Sequence, residues 1–521
     1  MNKESGVLVP FSAFYNTIKT FLDSSVSSAI IHASKNDNLE GFDVEVLKLL
    51  FLIKYVKEIS GNLENISTLL ITNIDQDKID LKKKVQISLD KLIKETLIQK
   101  NGDEYIFLTN DEQDVNKEIE KMVIDPATIN QKIGEIIFED IYKSKKFRYS
   151  KNYDFGFNQY IDDRPRGSQN NEIGIRVITP YFDLTSSSTE SDLKMLSSRE
   201  YKDLILNISD DNRYIEEIEY VLKIDAYLRM NSGQKSTQNI EDIKAKKGGE
   251  RDERLARANR LIEDAIENSK MYINGSAIEV KAKDPESRIN SGLTTLVDIR
   301  FNKLSYINKF LNSSKDLYDI FDKNNMQMTL VESGADNKLA LDEIDTHIAN
   351  NTARSMSITI RSIIQKFSAA PYGWKELDIQ GIILNLFKNQ EIRVVFNGEF
   401  IAPSDKAVID YLTKKEYIER ATLKKREKVK DKYVKVLKEL CTELFNYSAL
   451  PKDEDGMMRI FKERCNTEVN NIDKMLIYYR TSSRYPGEDV LKKGRETLTK
   501  IIKELDTIKF FELVDDLQDD Y

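Results

Sequence analysis

Between Phe42 and Thr109 the chain carries an apolar run too dense for a surface helix: Phe42, Val44, Val46, Leu47, Leu49, Leu50, Phe51, Ile53, Tyr55 and Val56. Such a helix must be buried on most sides, so neighbouring elements have to wrap around it. Ser60-Gly61 stops it, and Asn62 is placed to cap a second, short helix over Leu63 to Ile71. Asp80 is the predicted N-cap of a third helix, whose Leu81, Val85, Leu89, Leu92 and Ile93 recur at helical spacing. Leu97-Ile98 and Tyr105-Ile106-Phe107-Leu108 then flank Asn101-Gly102, a dipeptide that favours a tight hairpin. Helix, helix, helix, hairpin is the order of a winged helix-turn-helix, whose third helix often enters a DNA major groove.

A chain of 521 residues is too long for one core and predicts several domains. Nine prolines and twenty glycines are few for that length, which argues against an all-β chain or long disordered linkers. The fold class expected is therefore mainly α with small β elements (α+β), divided into several domains. Residues 1–41 form a leading helix with Phe14, Ile18, Phe21 and Leu22 on one face, expected to pack on the winged helix of 42–124. Residues 125–185 read as a small helix-plus-sheet segment, with β character at Phe147–Tyr149, Tyr153–Phe157 and Ile173–Ile178 and an exposed loop from Asp162 to Asn171.

Residues 186–345 are a mixed, mostly helical and charged middle. It holds a strand at Tyr201–Ile208, a helix through Met230, a charged helix from Ile240 to Ser269, a hairpin at Asn274-Gly275 and a loop from Asn324 to Asp336. The charged helix is read as a solvated spacer or one arm of a helical hairpin. Residues 346–430 suggest a second winged-helix-like module of rearranged order. Its helices run over Ile358–Phe367 and Asp378–Phe387, its hairpin turns at Asn397-Gly398, and a long basic helix begins at Thr422. Residues 431–521 are helical.

The sequence offers no catalytic residue and no metal site. No Gly-x-x-x-x-Gly-Lys-Ser/Thr string occurs; the nearest, Asn231-Ser232-Gly233-Gln234-Lys235-Ser236, lacks the first glycine that lets backbone N–H groups surround a phosphate. Cys441 and Cys465 have no Cys or His neighbours at ligand spacing, and read as free, unreactive thiols in a reducing compartment. His32 and His347 lie far apart in sequence and belong to no catalytic triplet. No apolar run approaches the ~20 residues of a membrane span, and the start lacks a signal peptide's pattern, so a cytoplasmic location is expected.

A basic face is the better lead, because the formal net charge of −8 confines any nucleic-acid contact to local patches. Lys82, Lys83, Lys84, Lys91, Lys94 and Lys100 lie on and just after the predicted third helix, where they could reach phosphates, and Gln86 and Ser88 could reach base edges. With no arginine to pair with guanine, non-specific contact to duplex DNA is favoured over sequence readout. The alternative is a solubilised helix on a module that binds protein. Lys424, Lys425, Arg426, Lys428 and Lys430 form a second cluster, read as a solvated helix face. Tyr372 and Trp374, in Pro371-Tyr372-Gly373-Trp374, are either an aromatic anchor for a partner or a staple within their own domain; the flanking apolar helices favour the staple.

These strings carry a resemblance. The stretch Phe42 to Val56, Gly61-Asn62-Leu63-Glu64-Asn65, the wing with Phe107-Leu108-Thr109, and Pro371-Tyr372-Gly373-Trp374 with Asp378-Ile379 resemble BrxC, the P-loop protein of BREX bacteriophage-exclusion systems. The resemblance implies a component of an anti-phage defence complex, in which an AAA+-type ATPase is followed by a long region that contacts DNA or other BREX proteins, BrxB-like and PglZ-like among them. The chain departs from that pattern in having no phosphate-binding loop. It is therefore expected to correspond to the part downstream of the ATPase module, with residues 1–41 a remnant of that module or the linker from it. ATP and Mg would enter only with an upstream ATPase module, and no cofactor is expected in this chain. The function expected is a non-catalytic DNA- or partner-binding and scaffolding role, the alternative being a free-standing winged-helix transcription regulator.

Overall fold

The computed structural model describes residues 6–22, 24–56, 58–182, 189–233, 237–322, 336–426, 429–451, 453–481 and 486–517, without the side chains of 24–26 and 480–481. Gln234–Ser236, Lys428 and the expected loop up to 335 lie outside the described residues. The chain divides into two compact units, Met1–Ile299 and Arg300–Tyr521.

The first unit opens with short helical pieces where one leading helix was expected. A 3-10 turn precedes α1 (Tyr15–Ile18), another follows it, and α2 (Ser24–Ala33) completes the segment. Phe11, Ile18 and Leu22 do pack on the core behind them. α3 (Gly41–Ile53) is the buried central helix, begun by a reciprocal capping box between Glu40 and Asp43. α4 (Leu63–Leu69) starts at Asn62, whose side chain accepts from the Asn65 N–H. α5 (Lys78–Lys94) begins earlier than expected, because Asp77 and not Asp80 caps it, accepting from the Ile79 and Asp80 N–H groups. β1 (Ile98–Asn101) and β2 (Glu104–Phe107) form the hairpin, with Asn101 opposite Glu104, so the loop residues are Gly102 and Asp103, one step beyond the predicted dipeptide.

α6 (Asn110–Glu120) and α7 (Pro126–Glu135) lead into the main sheet, formed by β3 (Lys146–Arg148), β4 (Asp154–Ile161), β5 (Arg164–Arg166), β6 (Ile173–Ile178), β7 (Asp203–Asn207), β8 (Lys270–Ile273) and β9 (Ser276–Ile278). The order is β3-β4-β6-β7-β8-β9, with β5 paired to β4 off this path. β4, β6 and β7 are parallel, and every residue of β6 and β7 is buried, as strands covered on both faces must be. α8 (Glu190–Arg199) is the crossover between β6 and β7. Gly174 allows a close approach: a Cβ there would collide with an Asp203 carboxylate oxygen, and Asp203 in turn holds the buried Arg176 at 3.1 Å. The expected boundary at residue 185 runs through this sheet, and the expected loop of 162–171 contains β5 and the buried Asp162. α9 (Arg213–Met230) and α10 (Gln238–Asn268) pack as a helical hairpin between β7 and β8, and α11 (Pro285–Arg300) closes the unit.

In the second unit, α12 (Ser314–Asp322) and α13 (Lys338–Ala353) precede β10 (Ile358–Thr359), α14 (Ile360–Ser368), α15 (Glu376–Lys388), β11 (Ile392–Phe396), β12 (Glu399–Phe400), α16 (Val408–Thr413), α17 (Lys415–Ile418) and β13 (Thr422–Lys425). The sheet order is β10-β13-β11-β12. The helix predicted from Thr422 onward is thus a strand at its start: Thr422–Lys425 pairs with β10 on one side and β11 on the other. The helix proper, α18 (Asp431–Phe445), begins later. α18 shares a core with α19 (Glu454–Thr481), α20 (Glu488–Lys503) and α21 (Thr507–Asp516), built from Leu437, Cys441, Phe461, Cys465, Ile501, Phe510 and Phe511.

Candidate functional site

α5 turns Leu81, Val85, Ser88, Leu89 and Leu92 into the core of the first module. Lys83, Lys84, Asp90 and Lys94 are exposed on the rest of its surface, and so are Ile79 and Ile87, 68% and 60% exposed. The lysine face is only partly available. Lys82 is paired with Glu64, and Lys91 with Glu40 at 3.0 Å and Asp43 at 3.5 Å. Lys84 lies 4.1 Å over the Phe42 ring, Lys100 lies 5.9 Å over Tyr105, and Gln86 donates to Asp90 at 2.8 Å. Ser88 cannot reach a base edge: it is buried, and its hydroxyl has no hydrogen-bond partner. Its polarity alone suggested the outer face, whereas its position falls on the apolar stripe.

The β1–β2 hairpin is engaged inside its own chain. Gln99 of β1 is buried, donating to the Tyr220 hydroxyl at 3.1 Å and to Glu250, and accepting from Lys247 at 2.6 Å. Lys247 also donates to Asn116 at 3.0 Å and Glu250 at 2.8 Å. Arg254 bridges Glu250 at 2.8 Å, Glu217 at 3.1 Å and the Lys100 carbonyl at 2.9 Å, and Arg257 reaches Asn101 beside the turn. Burial pushes the Glu250 carboxyl up, but Lys247 and Arg254 outweigh it and hold it below the usual range. Of the two readings of the charged helix, the arm of a helical hairpin is the one found, and that arm buries charged groups against β1–β2. The sequence does hold a signal: Lys247, Glu250 and Arg254 recur every three or four residues between Ile243 and Ala258, where an apolar stripe would run.

In the second unit the helix order α13, β10, α14, α15, β11, β13 is that of a regular winged helix, with β12, α16 and α17 inserted in the wing. Its third helix, α15, is buried continuously from Asp378 to Leu384, two full turns, beneath α12, α13, α14, α16 and β11. Tyr372 and Trp374 are not available to a partner. Trp374 is 1% exposed, stacked on Phe367 at 5.1 Å, and donates its indole N–H to the Lys303 carbonyl at 2.9 Å; Tyr372 is buried and donates to Glu343 at 2.8 Å. The second basic cluster is largely spent on internal pairs. Lys425 is held by Asp345 at 2.7 Å and Glu391 at 3.1 Å, and the buried Arg426 by Glu454 at 2.5 Å, while Lys424 and Lys430 remain exposed. Cys441 and Cys465 are free and buried, and burial pushes the Cys465 thiol up to about 12. Among the described residues no cluster of His, Cys, Asp and Glu could hold a metal, and no helix is long and apolar enough to cross a membrane.

A parallel-centred sheet, a winged helix with a buried third helix and a helical bundle, in that order, define a multi-domain protein of mixed α and β structure. Three family models match it consecutively, each describing a domain of the BREX ATP-binding protein BrxC. The fourth domain, with a six-stranded β-sheet, covers residues 122–296, the winged helix-turn-helix domain 303–427, and the α-helical domain 433–521. The chain belongs to the BrxC family. The six strands on the main path of the sheet agree with the first description, and the boundaries at 296 and 303 bracket the division between the two units. The family's winged-helix model matches residues 303–427, which include most of the second module expected at 346–430. No solved structure matches the chain.

Proposed function

We propose that this chain is a non-catalytic scaffolding and binding portion of a BREX anti-phage protein, whose surfaces hold other BREX proteins, BrxB-like or PglZ-like, together. The observation that carries this reading is the burial of α15. A winged helix whose third helix is packed on every side has given up the element that enters a major groove and serves as a structural module. The same burial disfavours a free-standing transcription regulator. The segment 42–109 is read as a further winged helix, whose hairpin is used to join it to α9 and α10. Its free surface is the outer face of α5, where Ile79 and Ile87 stand exposed among charges, a mixture suited to a protein contact.

A second reading is favoured by Lys83, Lys84 and Lys94 on that face: non-specific contact with the duplex DNA backbone. The two are separated by one pair of variants. Lys83→Glu/Lys84→Glu/Lys94→Glu should weaken salt-sensitive binding to a random duplex at least about tenfold, with the salt slope shallower by about 0.9 for every phosphate no longer neutralised. Ile79→Glu/Ile87→Glu should abolish co-purification with a BREX protein while leaving duplex binding in place. Duplex affinity unmoved by the lysine variant removes the DNA contact, and co-purification unmoved by the isoleucine variant removes α5 as the docking face.

A further inference from the structure

A cleft of about 560 Å³ opens on the sheet of the 303–427 domain, between the end of α13 and the Asn397-Gly398 turn. That volume lies within the range of about 300–1,000 Å³ typical of small-molecule sites. Strand alternation builds it. Leu423 of β13 points into the core, so its neighbours Thr422 and Lys424 stand on the opposite face, with Val395 across from Thr422 in register. Arg420, just before β13, reaches across the mouth and donates to the Asn397 side-chain oxygen at 2.8 Å, which fixes the guanidinium while leaving N–H groups for a ligand.

The chemistry of the walls is one-sided. Arg420 and Lys424 are exposed cations, Ser355, Ser357 and Thr422 supply hydroxyls, and among the described residues the lining contains no carboxylate. Lys425, one residue on, is turned the other way and neutralised by Asp345 and Glu391, so the neighbouring acids are spent elsewhere. The C-terminal end of α13 borders the cleft, and two of its last carbonyls already accept backbone hydrogen bonds. The Ser355 N–H donates to the Thr352 carbonyl at 2.9 Å and the Met356 N–H to the Asn351 carbonyl at 2.9 Å. Met356 is 53% exposed in the wall and, with Val395, offers a soft apolar surface beside the two cations.

We propose that this cleft binds a phosphate-bearing nucleotide unit, with Arg420 and Lys424 on the phosphate, the hydroxyls on the sugar and Met356 against the base. The site lies on the sheet and wing, away from the buried α15, and does not depend on α5. The unit is either a free nucleotide or one link of a nucleic-acid strand. The test uses the full chain at low salt, with a labelled single-stranded twelve-nucleotide DNA followed by anisotropy, and adenosine monophosphate and inorganic phosphate followed by calorimetry. Arg420→Glu/Lys424→Glu, and the milder Arg420→Gln/Lys424→Gln, should each weaken binding at least about tenfold. The salt slope for the strand should become shallower by about 1.4, at about 0.7 per phosphate. Displacement of the strand by adenosine monophosphate marks a free nucleotide as a ligand in its own right, and strand binding without it marks the strand. Absence of binding by every probe, or unchanged affinity in the glutamine variant with an unchanged melting temperature, overturns the proposal.

Discussion

At the scale of single residues, the apolar stripe of α5 outranks the polarity of what stands on it. Ser88 is turned inward with its hydroxyl unpartnered, and a buried polar group without a hydrogen bond is a cost to the fold. Ser88→Ala is therefore expected to leave stability unchanged or raise it by up to about 1 kcal/mol in urea denaturation, with duplex binding unaffected. A drop in stability would show that the hydroxyl is satisfied in solution. Trp374 teaches the converse. The only tryptophan, in a rigid aromatic turn, reads as an anchor or a staple with the flanking apolar helices favouring the staple, and the ring stacked on Phe367 with its N–H on the Lys303 carbonyl is that staple. The lysines divide in the same manner: Lys82 and Lys91 face carboxylates from α4 and from the start of α3, pairings that no spacing within α5 could reveal.

At the scale of elements, the hairpin β1–β2 and α10 are joined by charges that each helix or strand alone would send to solvent. Glu250 is the centre of that junction, accepting from Lys247 and Arg254. Its folded pKa is depressed, so it contributes stability that is fully present above its unfolded value of about 4.3 and lost as pH falls through the folded value. Glu250→Gln leaves two buried cations short of their counter-charge, and is expected to cost about 3 kcal/mol at pH 7. In circular-dichroism melts the difference between wild type and variant should shrink as pH is lowered from about 5 towards 3. A difference independent of pH would mean that the carboxylate's charge is not what holds the hairpin. β13 is the other case in which an element answers to its neighbours. Thr422-Leu423-Lys424-Lys425 continues into a lysine- and glutamate-rich stretch with helical preference, yet it becomes the strand between β10 and β11 because the ladder needs one there.

At the scale of the whole molecule, the division falls between Ile299 and Arg300, and the family's sheet and winged-helix domains end and begin on either side of it. Each unit has its own core, so fragments 1–299 and 300–521 should each give a cooperative thermal transition when produced separately. A fragment that melts without cooperativity would show that its core is completed by the other. The sequence alone determined what local chemistry can determine. The apolar density that begins at Phe42 demanded a buried helix, which ends at Ile53 and leaves Tyr55 exposed, Asn274-Gly275 and Asn397-Gly398 both turn with positive φ at each residue, Asn62 caps its helix, and the string from Pro371 to Ile379 lies within the family's winged-helix domain. Tertiary structure alone decided which modules keep a free surface. The β1–β2 hairpin clasped by Lys247, Glu250 and Arg254, α15 closed in by four helices and a strand, and the cleft beside Arg420 all arise where segments distant in sequence meet. Periodicity describes one element at a time, whereas burial and charge compensation belong to pairs of elements.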